Sequence, residues 1–260
     1  MYAFTHHSAT SIADAVKSVG EGKYLAGGHT LVPTMKQRLA MPGNIVDLNK
    51  VAELKGVSDN GGVLTVKAMT RHYEVENSPV VQKAIPGLAK LAGGIGDPQV
   101  RHRGTMGGSV ANNDPAADYP AAVLALNATI VTDRRRIAAD DYFKGLFTTA
   151  LEDSELITAI EFPHADSFSY AKFRNPASLY AMVGVAIAKK GGAVRVAVTG
   201  AGSDGVFRWK EAEDKLAANF TAAALDGLAV SPSRVNGDLH GSAEYRAHLI
   251  GVMAKRAMGA

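Results

Sequence analysis

Two glycine-rich segments constrain this chain more than anything else in it: Ala26-Gly27-Gly28-His29-Thr30-Leu31 and Gly104-Thr105-Met106-Gly107-Gly108-Ser109. Adjacent glycines carry no Cβ, so consecutive backbone N–H groups can turn toward one anion and form a nest for phosphate oxygens. A hydroxyl beside each pair, Thr30 or Ser109, offers one more donor. A single Gly-Gly pair is usually only a tight turn, and that reading would serve for either segment alone. Two of them suit a diphosphate held from two sides, which demands a fold that brings distant parts of the chain together. Neither segment fits the G-x-G-x-x-G dinucleotide fingerprint or the G-x-x-x-x-G-K-[ST] nucleoside-triphosphate loop.

Just after the second segment comes Asn112-Asn113-Asp114-Pro115-Ala116-Ala117-Asp118-Tyr119-Pro120. Asp114 precedes a proline at what reads as the first helical position, so it is assigned to helix capping. Asp118 is assigned to a ligand, because a carboxylate accepts hydrogen bonds from the several hydroxyls of a sugar or ribityl chain.

The pattern along the chain predicts an α+β protein. Ser11 to Val19 reads as an amphipathic helix capped by Thr10 or Ser11. Lys23–Ala26 and Asn44–Leu48 read as strands on either side of the first glycine turn, giving a small unit that ends near Lys50. Leu54–Val57 and Val63–Val66 flank Ser58-Asp59-Asn60-Gly61-Gly62 and predict a hairpin. Helical pattern follows over Thr70–Glu76, Pro86–Leu91 and Tyr119–Leu126, with a polar, glycine-rich loop from Gly93 to Ser109. Ala128–Val131 and Leu156–Ile160 return to strand pattern, and Arg134-Arg135-Arg136 reads as a hairpin tip. Beyond Pro163, Ser169–Phe173, Met182–Ala188 and Val194–Val198 predict an antiparallel sheet, followed by helices over Trp209–Ala218 and Ser242–Met258.

Composition narrows the function. The formal charge of +3 is small and scattered, which argues against nucleic acid. There is no cysteine, so neither disulfides nor thiolate ligation of an iron–sulfur cluster is available to this chain. No apolar run approaches a membrane span, and the opening residues lack a secretory pattern; a cytoplasmic protein is expected. His6, His7, His102 and His164 have no partner at metal-ligand spacing, and no metal site is expected. His29 is given a backbone role, Arg101-His102-Arg103 reads as a solvated loop or subunit contact, and Trp209 as a helix anchor.

Ala26-Gly27-Gly28-His29-Thr30-Leu31-Val32-Pro33 and Thr105-Met106-Gly107-Gly108-Ser109, followed by Asp114-Pro115 and Asp118, resemble the FAD-binding medium subunit of the carbon monoxide dehydrogenase and xanthine dehydrogenase family. The resemblance continues through Glu155–Pro163, Tyr170–Arg174 and Val196–Gly202, and so covers nearly the whole chain. It implies a two-subdomain FAD-binding domain of the vanillyl-alcohol-oxidase type over residues 1–163, divided near 52/53. A C-terminal antiparallel sheet-and-helix domain would occupy 164–260. By the same resemblance, Ala26, Gly27, Gly28, His29, Thr30 and Leu31 would wrap the diphosphate of non-covalent FAD, with Thr105, Gly107, Gly108 and Ser109 on its other side. Asp118 would bind ribityl or ribose hydroxyls, Ile157 would pack near the isoalloxazine ring, Arg174 would lie close to the flavin and Tyr180 would cover a ring face.

The implied function is electron transfer inside a molybdenum hydroxylase. The molybdenum cofactor would sit on a large partner subunit and two [2Fe-2S] clusters on a small one, in a dimer of heterotrimers. Two other readings compete with it: a stand-alone FAD-dependent oxidoreductase, and a non-catalytic scaffold that binds a nucleotide or only its partners.

Overall fold

The computed structural model describes residues 1–259 and is an α+β protein with three hydrophobic cores. The first unit comprises β1 (Thr5–Ser8), α1 (Ile12–Val19), β2 (Lys23–Leu25), α2 (Leu31–Lys36) and β3 (Asn44–Asp47). Its sheet is parallel, in the order β1-β3-β2. Ser11 caps α1 by accepting from the Asp14 amide, and Ala15 and Val19 turn inward onto Val46 and Leu48. This core also takes in Met69 and Leu156 from the next unit, so the two share a wall.

The second unit contains β4 (Val57–Asp59), β5 (Val63–Lys67) and the helices α3 (His72–Asn77), α4 (Pro79–Ala84), α5 (Pro86–Gly93), α6 (Pro98–Arg103), α7 (Met106–Asn112) and α8 (Tyr119–Ala125). It continues with β6 (Thr129–Thr132), β7 (Arg136–Ala138), α9 (Ala139–Tyr142), β8 (Phe143–Gly145), β9 (Thr148–Thr149) and β10 (Ile157–Pro163). Five strands form an antiparallel sheet in the order β4-β5-β10-β6-β7. The hairpin around Asn60 is there, with Gly61 and Gly62 both at positive φ. Leu54 belongs to a short 3-10 turn rather than to a strand, which starts only at Val57.

The expected loop from Gly93 to Ser109 is instead largely helical. Asp97 accepts from the Val100 amide and Pro98 presets the first turn of α6, while Thr105 accepts from the Gly108 amide at the start of α7. Gly107 and Gly108 are therefore helical residues. Their low helix propensity is overridden by packing, since Gly107 backs directly onto Ala68. The Arg134–Arg136 cluster does sit on the β6–β7 hairpin, but all three arginines are ion-paired, to Glu152, Glu155 and Glu161.

The third unit is β11 (Ser167–Arg174), β12 (Ala181–Lys190), β13 (Ala193–Thr199) and β14 (Phe207–Arg208) with α10 (Lys210–Ala218) and α11 (Ala243–Ala257). The sheet is antiparallel in chain order, as the pattern predicts. Its central strand is buried on both faces, which is why Ala181–Ala188 reads as one apolar run. Val183, Val185 and Ile187 face the third core under α11, and Ala186 and Ala188 face the second core. Each branched side chain so buried contributes roughly 1.5–3 kcal/mol. Trp209 is fully buried at the start of α10, as an anchor should be.

Candidate functional site

The first glycine segment links β2 to α2. Gly28 takes φ +78°, a conformation that favours glycine. Gly27 is glycine for a different reason: an added Cβ would run into the carbonyl oxygen of Arg103 and lie 2.8 Å from Gly104 Cα. The two glycine-rich segments therefore touch, backbone against backbone. Gly108 looks across at Ala26, where an added Cβ would stand at 3.5 Å from the alanine methyl.

The two segments differ in what they leave free. Among the described residues, no acceptor takes the amides of Gly27, Gly28, His29, Thr30 or Leu31. In the second segment, the Met106 amide donates to Thr70, Gly107 to Ala68, Gly108 to the Thr105 hydroxyl and Ser109 to the Thr105 carbonyl. The expected pair of facing nests is thus corrected to one: the second segment is a packed helix start that offers a wall and the Ser109 hydroxyl, with the Thr105 amide the one left over.

These segments border a cleft of about 710 Å³. Ala26, Gly27, Gly28, His29, Thr30, Leu31, Thr105, Gly107, Gly108, Ser109, Asp118, Ile157 and Tyr180 all line it. Arg174 does not. It is exposed at the end of β11, beyond a register shift after Phe173, with its guanidinium near Gly94 and its charge still reaching Asp118. Asp114 lines the cleft too, and its carboxylate accepts from the Ala116 amide at 2.9 Å. No helix begins at Pro115, so Asp114 closes a local turn rather than capping a helix.

Asp118 immediately precedes α8 and is buried. Its Oδ1 accepts from the Tyr170 hydroxyl at 2.6 Å and pairs with Lys172 Nζ at 3.0 Å. Burial pushes its carboxyl up, against the opposing pull of Lys172, Tyr170 and Arg174. Tyr180 is half-exposed at the mouth, with its phenol raised by burial and then by Asp114 and Asp118. It follows Leu179, held at φ +62° by a loop in which Asn175 accepts from the Ala177 and Ser178 amides.

Several lining residues have no signal in the sequence. His72 is buried against Gly104 and Tyr119, and its Nδ1 has no partner among the described residues. Burial, then the charges of His29 and Arg101, lower its pKa to about 3, so it is neutral. The stretch Leu151–Leu156 supplies a further wall, braced by Glu155, whose carboxylate takes two Arg135 nitrogens, the Thr132 hydroxyl and the Glu152 amide. Asn112, just after the second glycine segment, also lines the cleft.

An α+β protein whose cleft is lined by five successive residues with unpartnered amides, and by the Thr30 and Ser109 side chains, has the lining of a site for a phosphate-bearing cofactor. Residues 2–165 match the family described as the FAD binding domain in molybdopterin dehydrogenase. The carbon monoxide dehydrogenase medium chain of Hydrogenophaga pseudoflava is 34% identical, with 99% of this chain and 96% of that one covered. The nicotine 6-hydroxylase medium subunit of Paenarthrobacter nicotinovorans is 35% identical over 98% of this chain and 95% of its own length. Among solved structures, carbon monoxide dehydrogenase from Hydrogenophaga pseudoflava superposes with a TM-score of 0.89 at 34% identity, covering 100% of this chain and 97% of that chain. The quinoline 2-oxidoreductase structure from Pseudomonas putida reaches 0.87 at 29% identity, covering 99% and 96%. The chain therefore belongs to the family of FAD-binding domains of molybdopterin dehydrogenases.

The residues present fit that cofactor. The free amides meet the need of a diphosphate, and the cleft is large enough to bury a substantial ligand. Among the described residues no group of three or more His, Cys, Asp or Glu side chains is placed to hold a metal ion, and no helix is long and apolar enough to cross a membrane.

Proposed function

We propose that this chain is the flavin subunit of a heteromeric molybdenum hydroxylase, taking electrons from [2Fe-2S] clusters of a small subunit and passing them to an external acceptor. The observation that carries the reading is the run of unpartnered amides from Gly27 to Leu31 along the cleft. When bound, FAD supplies the redox chemistry and mediates between one-electron and two-electron partners. The protein's own part is to bind and orient. The five amides and the Thr30 and Ser109 hydroxyls would hold the diphosphate, Asp118 would accept from ribityl or ribose hydroxyls, and Ile157 and Tyr180 would pack by the ring. Neutral His72 and the Leu151–Leu156 stretch line the same cavity.

With no cysteine in the chain, iron–sulfur ligation belongs to a partner, as a three-subunit arrangement requires. Relatives named for carbon monoxide, nicotine, glyceraldehyde and caffeine share this chain's type, which supports a substrate choice made on the molybdenum subunit. A cytoplasmic dimer of heterotrimers is part of the same proposal; the mass of the purified complex and cell fractionation check those two points.

The test is to purify the chain with whatever accompanies it and measure flavin, iron and molybdenum. One FAD per chain with iron and molybdenum in co-purifying large and small subunits is expected. Substrate-driven flavin reduction by the chain alone would establish a self-contained oxidoreductase instead, and a colourless protein that takes up no FAD would leave only a scaffold.

A further inference from the structure

Asp118 is fixed by the third unit, not by its own. Its side chain and that of Lys172 are each only 5% exposed, at 3.0 Å from one another. Lys172 also donates to the Gly94 carbonyl at 2.8 Å, and so ties β11 to the end of α5 and to the start of α8 in one step. Tyr170, two residues earlier on the same face of β11, donates to the same carboxylate at 2.6 Å. Its hydroxyl lies directly over Gly184 of the neighbouring strand, where any Cβ would collide with it. That explains the glycine that interrupts the most apolar strand in the chain. Sequence, register and packing all converge on keeping Tyr170 and Lys172 against Asp118.

A buried carboxylate without a cation neutralises itself by taking a proton, and then donates where it should accept. A carboxylate has about four lone-pair directions. Tyr170 donates to Oδ1 and Lys172 reaches both oxygens, which leaves part of this capacity unused, and Asp118 still borders the cleft. The other groups facing it are Arg174 on β11, Tyr119 on α8 and Tyr180 in the loop before β12. Of these only Arg174 carries positive charge, and it is exposed.

We infer that Lys172 and Tyr170 are positioning residues that hold Asp118 ionised and aimed into the cleft, so that the C-terminal sheet governs how tightly the N-terminal domain retains FAD. The inference rests on the flavin reading of the cleft. It makes the third unit part of the binding machinery without a contact of Lys172 to the cofactor.

The purified complex, stripped of flavin and titrated with FAD between pH 6 and roughly pH 8.5, around the range where a displaced carboxyl would titrate, provides the test. Wild type should bind with a pH-independent Kd. Lys172→Met should weaken FAD by about tenfold or more at neutral pH, and the loss should shrink as pH rises and Asp118 regains its charge. Asp118→Asn should be weaker but pH-independent, and Asp118→Asn with Lys172→Met no weaker than Asp118→Asn alone, because no buried charge is left to support. Tyr170→Phe, which keeps the packing, gives the same direction with a smaller change if Lys172→Met fails to fold. If Lys172→Met binds like wild type, or loses affinity equally at every pH and additively with Asp118→Asn, the inference falls while the flavin reading stands. A wild-type complex that takes up no FAD overturns both.

Discussion

A methyl group added at Gly27 would strike the carbonyl oxygen of Arg103, part of a neighbouring segment's backbone, whereas one added at Gly108 would meet only the Thr105 hydroxyl at 2.9 Å and the Ala26 methyl at 3.5 Å. Backbone cannot rotate away, so Gly27→Ala must push the two segments apart at a cost of about 1–3 kcal/mol. Gly108→Ala sits within α7, where alanine is the better helix former by about 1 kcal/mol, and this offsets the crowding of Thr105. Gly27→Ala should lower both the melting temperature and the flavin content. Gly108→Ala should leave the melting temperature nearly unchanged while weakening FAD, because its new methyl stands on the cleft wall. Thermal melts with and without FAD separate the two variants. A Gly108→Ala protein that retains FAD at wild-type affinity would remove Gly108 from the binding surface.

At the scale of elements, the wall between β9 and β10 shows how a cavity lining is held from behind. Arg135 on the β6–β7 hairpin grips Glu155 through two nitrogens, at 2.9 and 2.8 Å, and that bonding holds the Glu155 carboxyl down at about 2. Tyr24 donates to the Ser154 carbonyl at 2.9 Å, tying the same wall to the first unit. A depressed carboxylate contributes stability that is complete above its unfolded pKa near 4.5 and is lost as pH falls toward 2. His72 acts in the same direction over a higher window. Buried and neutral with a pKa of about 3, it resists a proton that the unfolded chain accepts below about 6.5, so stability declines as pH falls between those values. Melting temperatures across pH 3 to 7 should fall steadily on the acid side. His72→Phe should flatten the upper part of that decline, and Arg135→Met should abolish the lower part while destabilising the neutral-pH protein. An acid limb identical in all three proteins would show that other groups control it.

Much of this architecture is written in local signals. Of the two caps the sequence offers for α1, Ser11 is the one used, Ser242 caps the helix expected to start there, Asn60-Gly61-Gly62 turns its hairpin, and β-branched residues mark β3, β6, β10, β12 and β13. What was not legible depends on contacts between distant residues. Met106-Gly107-Gly108-Ser109 is helical because Ala68 and Thr70 accept its first amides, a partnership no local pattern announces. Strand β1, Thr5-His6-His7-Ser8, has little intrinsic strand character and exists by parallel pairing with β3. Within the site, the two glycine segments could be read as a pair, yet not that only the first keeps its amides free. Arg174 does not line the cleft, and the register shift that precedes it at the end of β11 has no local sign in the sequence.

For the whole molecule, the decisive fact is that the cleft belongs to no single core. Its lining runs from Leu48 and Met69 in the first core, through Ile157 on the second unit's sheet, to Ser178–Tyr180 in the third unit. The cores are themselves interlocked, with Met69 and Leu156 of the second unit inside the first core, and Ala186, Ala188 and Ala197 of the third unit inside the second. A ligand that touches all three stabilises the molecule by RT ln(1 + [L]/Kd), about 2.7 kcal/mol at a hundredfold excess over Kd. If the units unfold together, FAD at that concentration should raise one melting transition of the full chain by roughly 2–4 °C for each kcal/mol. If the third unit unfolds separately, two transitions should appear, and FAD should move both, since Tyr180 and the Lys172–Asp118 pair join that unit to the cleft. Scanning calorimetry of the full chain with and without FAD decides the matter. A third-unit transition indifferent to FAD would mean that the cofactor is held by the first two units alone, and that the C-terminal sheet only covers them.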